Sequence, residues 1–309
     1  MARVLVTRRL PDGGLEPLAG HELLQREDGV EAGDLADVDA IICLLTDRID
    51  ARVLEAAPKL RVVGNVAVGY DNVDVAAATA RGVVVCNTPG VLDETTADLA
   101  FALILAASRL LSEAERDLRG GRWQGWGIGQ YLGQDVHGAT LGLVGYGRIG
   151  QAVARRAAGF GMQVLHHCTH DTGEPGFVPT LDALLAEADV VSLHVPLTDA
   201  TRHLVGAREL ALMKPTAVLV NTARGPVVDE EALAVALEES HIFAAGLDVY
   251  EREPEVHPRL LAAPRTVLLP HVGSASVATR TRMAQVAAEG VRAVLAGEHP
   301  SNVVNPAAL

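Results

Sequence analysis

Short aliphatic runs punctuate the first third of the chain at Val4-Leu5-Val6, Ala40-Ile41-Ile42-Cys43, Arg61-Val62-Val63 and Val83-Val84-Val85, with Ala-rich or polar stretches between them. Positions that are apolar consecutively rather than alternately predict strands buried on both faces, the condition of a parallel sheet covered by helices. Asp74 to Arg81 is one of the intervening helical stretches. The following segment, VLDETTADLAFALILAASRLLSEAERDLRGG, predicts one long connecting helix. Asp93 is its expected cap, and the acidic first turn and later Arg residues suit the helix macrodipole.

A second series begins at Ala139. ATLGLVG, MQVLHH, ADVVSLHV, TAVLVNT, AAGLDV and TVLLPH predict six strands with helical patterns between most of them. Ser276 to Ala296 reads as a last long amphipathic helix. The tail SNVVNPAAL has no local partner and is expected to return to the first domain, making it discontinuous. The predicted fold class is α/β with two doubly wound parallel-sheet domains, one from residues 1–97 and 279–309 and a larger one from 98–278.

Composition narrows the function. At roughly 150 residues per domain, 309 residues support about two domains. The core must be Ala, Val and Leu, since 49% of residues are hydrophobic but only 3% aromatic. Lys and Arg total 26 against 39 Asp and Glu, a net charge of −13, which argues against a nucleic-acid or anionic-membrane partner. A small anionic substrate then needs local positive charge. Cys43, Cys86 and Cys168 form neither a disulfide framework nor a metal-ligand pattern and read as free thiols in a reducing compartment. The apolar run Leu99 to Ser108 is too short to span a membrane, and no signal-like segment is present, so a cytoplasmic location is expected.

LGLVGYGRIGQAVARRA places Gly145, Gly147 and Gly150 in G-x-G-x-x-G spacing between a predicted strand and a predicted helix. Gly145 permits the tight turn, Gly147 lets backbone approach a pyrophosphate, Gly150 lets helix and strand pack closely, and the helix N-terminus offers N–H groups to the anion. The larger domain is therefore expected to be a Rossmann dinucleotide-binding domain. The acidic residue that would hold the ribose, about 20 residues on, is missing. Cys168 takes that place and Asp171 falls too late. No Lys or Arg lies between Arg156 and Arg202 to clamp a 2′-phosphate either. His167, Thr169 and His170 either receive that phosphate or are exposed loop residues. Cys168 and Thr169 are counted as cofactor contacts, and the expected NAD(P)H cofactor leans to NADPH because a neutral Cys removes repulsion.

Polar groups recur at the ends of successive predicted strands: His194, then Asn221-Thr222-Ala223-Arg224-Gly225, then Asp248, then His271. Ligands of open parallel sheets bind outside the carboxyl ends of strands, so the recurrence predicts one shared site, with Ala223 counted in it.

With NVAVGYDNVD (65–74), VVSLHVPLTDATRHLV (190–205), VLVNTARGPVVDEEAL (218–233), AAGLDVYEREP (244–254) and LLPHVGSAS (268–276) in this order, the chain resembles the D-isomer-specific 2-hydroxyacid dehydrogenases. Within them it is most similar to glyoxylate/hydroxypyruvate reductases. The resemblance implies Arg224, Glu253 and His271 as catalytic residues, and Val68 and Gly69 as backbone sites for the substrate carboxylate beside Arg224 and His271. It also implies Thr96, Arg148, Ile149, Pro196, Thr201, Thr222, Asp248 and Gly273 along the cofactor. By its residue type Asp248 is either a turn residue or, in the preferred reading, bonded to the nicotinamide carboxamide.

The chemistry agrees with those residue types. Reducing a 2-oxo acid to the D-2-hydroxy acid needs a permanent cation on the oxygens, and Arg224 offers a planar fork of donors. A proton must reach the carbonyl oxygen as hydride arrives, a task for a His near neutral pH, with a carboxylate beside it favouring its charged form. The cluster RWQGWGIGQYLG, with Trp123, Trp126 and Tyr131, suggests a homodimer contact. Competing readings are D-3-phosphoglycerate or phosphite dehydrogenases and a non-catalytic NAD(H)-sensing scaffold. Val66-Ala67-Val68 lacks the Lys expected of a phosphite pocket, and a scaffold would be expected to have lost a catalytic residue.

Overall fold

The computed structural model of the protein describes residues 1–30 and 35–309. The chain forms two compact units, Met1–Leu92 with Ser274–Leu309, and Asp93–Gly273. The changeovers lie five residues before the expected 97/98 and 278/279.

The first unit is built on a five-stranded parallel sheet: β1 (Arg3–Val6), β2 (Glu22–Gln25), β3 (Ala40–Cys43), β4 (Val62–Asn65) and β5 (Val84–Cys86), in the order β2-β1-β3-β4-β5. β1, β3, β4 and β5 are the four expected runs. β3, β4 and β5 are buried at every position because helices cover both faces. β2 has no counterpart among the predicted strands. Among the described residues it pairs with β1, and its two leucines, Leu23 and Leu24, lie between two polar residues, too short a run to mark a buried strand. α1 (Ala51–Ala56) and α2 (Val75–Ala80) start at Asp50 and Asp74, whose carboxylates accept backbone N–H groups of the first turn. The tail does return to this unit. Val303 bridges Cys86 in antiparallel sense, and the Asn305 side chain bonds Val85 N, Val83 O and Thr79.

In the second unit, α3 (Asp93–Ser108) and α4 (Leu111–Arg119) replace the single long helix predicted from sequence. Leu110 adopts a left-handed φ of 53° and the two helices diverge by 68°. Asp93 lies inside the first turn of α3 rather than capping it. The apolar half becomes α3, buried against the sheet, and the charged half becomes the surface helix α4. Among the described residues no single helix is long and apolar enough to cross a membrane.

β6 (Thr140–Val144), α5 (Arg148–Ala158), β7 (Gln163–His167), α6 (Leu181–Glu187), β8 (Val190–Leu193), α7 (Ala207–Leu212), β9 (Val218–Asn221), α8 (Glu230–Glu238), β10 (Ala244–Leu247), α9 (Pro258–Ala262) and β11 (Thr266–Leu268) complete the unit. The six predicted strands all form one parallel sheet, ordered β11-β10-β9-β8-β6-β7. Strand order reverses at β6, which pairs β7 on one side and β8 on the other, and the carboxyl ends at such a reversal open a crevice for ligand. α10 (Val277–Leu295), capped by Ser276, runs back along β3, β4 and β5 of the first unit.

Candidate active site

β6 ends at Val144 and the chain turns through three residues into α5. Gly145 has φ +95°, and a β-carbon there would stand 2.5 Å from the His194 carbonyl oxygen. Gly150 approaches Gly145 so closely that its β-carbon would lie 2.4 Å from that backbone oxygen. Both positions exclude a side chain. Gly147 starts α5 with open space on its Cα, and no side chain caps the first N–H groups of the helix. Uncapped N–H groups at a helix start with open backbone beside them fit a pyrophosphate. Ile149 packs partly into the core, while Arg148 places Nε 3.1 Å from the Asp93 carboxylate.

Beyond β7, Cys168 donates its thiol to the His170 carbonyl at 3.1 Å, and Thr169 Oγ1 lies 3.4 Å from His170 Nδ1. His167 bonds the Val178 carbonyl, and buried His166 stacks on Tyr146 with centroids 3.8 Å apart. Asp171 accepts from Gly173 N within its own turn, so the strand end itself carries Cys168 in place of a carboxylate. After β8, Thr201 Oγ1 donates to the Pro196 carbonyl at 2.6 Å and accepts from Thr198 N, which closes the loop.

The segment after β9 is shaped by Asn221, whose side chain accepts from Ala223 N and donates to the Arg224 carbonyl. Thr222 Oγ1 is buried without a hydrogen-bond partner among the described residues, the condition of a group that a bound polar ligand would satisfy. Arg224 is extended, with its guanidinium also on the Ala223 carbonyl.

Asp248, at the end of β10, is almost fully buried. Its two carboxylate oxygens accept from Val272 N and Gly273 N at 2.7 Å each, and its carbonyl accepts from His271 N. Burial pushes the carboxyl up against those two bonds. Asp248 thus fastens the segment that carries His271, and Thr96 from α3 lies beside Gly273.

His271 Nδ1 shares a 2.8 Å hydrogen bond with Glu253 Oε2, while Oε1 accepts from Tyr250 N. Burial raises the Glu253 carboxyl, but the His271 hydrogen bond and charge, the Tyr250 N–H and the Arg224 charge outweigh it and hold Glu253 below the usual range. The ionised carboxylate has only acceptor sites, so Nδ1 carries the proton and Nε2 faces away from the pair. Arg224, Glu253 and His271 therefore stand together within the second unit. No motif in the sequence singles out Tyr250, one of four Tyr in the chain. Its hydroxyl donates to the Leu269 carbonyl, two residues before His271, and burial pushes that hydroxyl up, so it remains a donor.

Val68 and Gly69 belong to the first unit. They follow β4 and are partly exposed.

The family model described as D-isomer specific 2-hydroxyacid dehydrogenase, NAD binding domain, matches residues 101–273. Glyoxylate reductase of Korarchaeum cryptofilum is 52% identical, covering 98% of this chain and 96% of its own. A Thermus thermophilus protein of known structure superimposes with TM-score 0.93 at 47% identity, over 98% of this chain and 99% of that one. An NADPH-dependent glyoxylate/hydroxypyruvate reductase of Sinorhizobium meliloti, solved with NADP and malonate, does so with TM-score 0.90 at 39% identity, over 98% and 96%. The chain belongs to the D-isomer-specific 2-hydroxyacid dehydrogenase family.

Proposed function

We propose that the protein is an NAD(P)H-dependent reductase of small 2-oxo acids of the glyoxylate/hydroxypyruvate type, giving the D-2-hydroxy acid. The carrying observation is the Glu253–His271 pair at 2.8 Å with the Arg224 charge beside it, at the carboxyl ends of the sheet that also holds the glycine turn. Relatives named glyoxylate reductase, at 52% and 47% identity, support the substrate class.

NAD(P)H, when bound, supplies the hydride, and Gly145, Gly147, Gly150 and Thr222 are the residues that fit it. Arg224 neutralises the acid and the charge that grows on the carbonyl oxygen, where a fixed guanidinium needs no reorganisation. His271 donates the proton from Nε2 to that oxygen, and Glu253, bonded to Nδ1, stabilises the charged ring and fixes its orientation. In the reverse direction the neutral ring accepts the proton.

NADPH is our preferred cofactor. The neutral Cys168 at the end of β7 puts no carboxylate against a 2′-phosphate, and the Sinorhizobium meliloti relative was solved with NADP. A homodimer is supported by residues 111–132, where Leu111, Leu118, Trp123, Trp126, Ile128 and Leu132 are all at least half exposed. We place the enzyme in the cytoplasm, where Cys43, Cys86 and Cys168 remain thiols.

Parallel steady-state assays of NADPH and NADH oxidation with glyoxylate, hydroxypyruvate and pyruvate test the reading. Turnover of glyoxylate or hydroxypyruvate, faster with NADPH, is expected. Cofactor binding without turnover of any 2-oxo acid would replace the reductase with an NAD(H)-sensing scaffold.

A further inference from the structure

The segment after β4 is held by its carbonyls. Three successive carbonyls are each capped from the carboxyl ends of β4 and β5: Ala67 O by Thr88 N at 2.9 Å, Val68 O by Asn87 Nδ2 at 2.8 Å, and Gly69 O by Asn65 Nδ2 at 2.9 Å. In a planar trans peptide the C=O of one residue and the N–H of the next point in opposite directions. Capping these carbonyls therefore turns the N–H groups of Val68, Gly69 and Tyr70 away from the strand ends. None of the three makes a hydrogen bond among the described residues.

The asparagines are themselves braced. Asn65 is fully buried and forms a reciprocal amide pair with Asn72 at 3.2 Å, and Asn72 is tied to the Leu44 and Asp47 carbonyls. Asn87 exchanges bonds with Asn302 of the tail, its N–H donating to Asn302 O and its carbonyl accepting from Asn302 Nδ2. Burying a whole amide is costly unless every polar atom is used, and Asn65 donates to the Gly69 carbonyl and Asn72 while its Oδ1 accepts from Asn72 and the Cys43 thiol.

We propose that Asn65 and Asn87 are positioning residues for the substrate carboxylate. By holding the Gly69 and Val68 carbonyls they aim the N–H groups of Tyr70 and Gly69, together with that of Val68, as a three-donor cradle for a carboxylate. The inference rests on the reading that residues 68 and 69 receive the acid. Neither asparagine touches substrate, so each acts through the backbone.

The test compares wild type with Asn87→Ala and Asn65→Ala in NADPH-dependent reduction of glyoxylate and of its uncharged methyl ester, with oxamate as a competing anion. Each variant is expected to raise the glyoxylate KM and the oxamate inhibition constant about ten-fold or more, since bonds to a charged group are at stake. The NADPH KM and ester kcat/KM should stay within about two-fold of wild type, a split that general loss of structure would not produce. Equal losses for acid and ester, or unchanged constants for the acid, would overturn the proposal. If wild type itself showed no preference for acid over ester, the underlying assignment of Val68 and Gly69 would fail, and this inference with it. Should Asn65→Ala not fold, Asn87, only partly buried beyond β5, carries the test alone.

Discussion

Gly225 lies directly against Tyr250: a β-carbon on Gly225 would stand 1.8 Å from the Tyr250 carbonyl carbon and 2.4 Å from Glu251 N. The glycine follows Arg224, and Tyr250 N donates to the Glu253 carboxylate, so the contact joins the segment that carries the cation to the one that holds the carboxylate. Gly225→Ala should push the two segments apart, destabilising the fold by about 1–3 kcal/mol. A shift of about 1 Å at the site should cost about a hundred-fold in kcat/KM. Thermal melts with glyoxylate kinetics check both, and near-normal kinetics would show that the contact does not govern the site.

The pair of His271 and Glu253 gives a graded expectation. His271→Ala should retain NADPH binding, followed by fluorescence titration, and lose about a hundred- to ten-thousand-fold in kcat. Glu253→Gln keeps a hydrogen-bonding group at Oε2 but removes the charge that supports the protonated ring. It should lose less than His271→Ala. An alanine variant with wild-type turnover would remove His271 from proton transfer.

His194 offers a pH signature. Desolvation pushes its imidazole down to about 4 from the usual 6.5, and its Nε2 lies 2.9 Å from Ser192 Oγ. Between about pH 6.5 and 4 the unfolded chain binds a proton that the folded chain resists, so stability present at neutral pH declines as pH falls through this window. Calorimetric melting temperatures should therefore drop on acidification, and His194→Asn should flatten the slope. Parallel curves for variant and wild type would contradict the assignment.

For the exposed segment, Trp126 and Ile128 are each 81% exposed. Replacing both with Glu should convert a dimer into a monomer without lowering the melting temperature of the monomer unit. Light scattering after gel filtration reads the mass directly, and a wild-type monomer would remove the interface.

Asp248 can be tested for two roles. Its two oxygens each accept one N–H from the His271 segment, which gives Asp248 a second expected role beside the carboxamide contact. Asp248→Asn turns one acceptor into a donor facing a backbone N–H. It should lower kcat for glyoxylate by about ten-fold or more while leaving NADPH affinity nearly intact. A matching loss of NADPH affinity, read by titration, would instead favour the carboxamide contact.

Much of this is legible in the amino-acid sequence. Consecutive apolar residues mark strands that helices bury on both faces, because a buried strand admits water on neither side. Glycine spacing marks a turn where a β-carbon would meet backbone, as at Gly145 and Gly150. Arg224 and His271 stand out as chemical types at the ends of predicted strands, whereas Glu253 enters only through the family resemblance. Other features depend on partners distant in sequence. β2 is an edge strand that pairs with β1, and Glu22-Leu23-Leu24-Gln25 has too short an apolar run to mark it from sequence. The break at Leu110 follows from packing α3 on the sheet while α4 remains on the surface. The caps on Val68 and Gly69 come from Asn87 and Asn65, and nothing local to a carbonyl tells which amide will reach it. Sequence alone determined which groups are apolar, charged or able to turn. Tertiary structure decided which hydrogen bonds those groups make, because a donor's energy depends on the acceptor that folding brings within 3 Å.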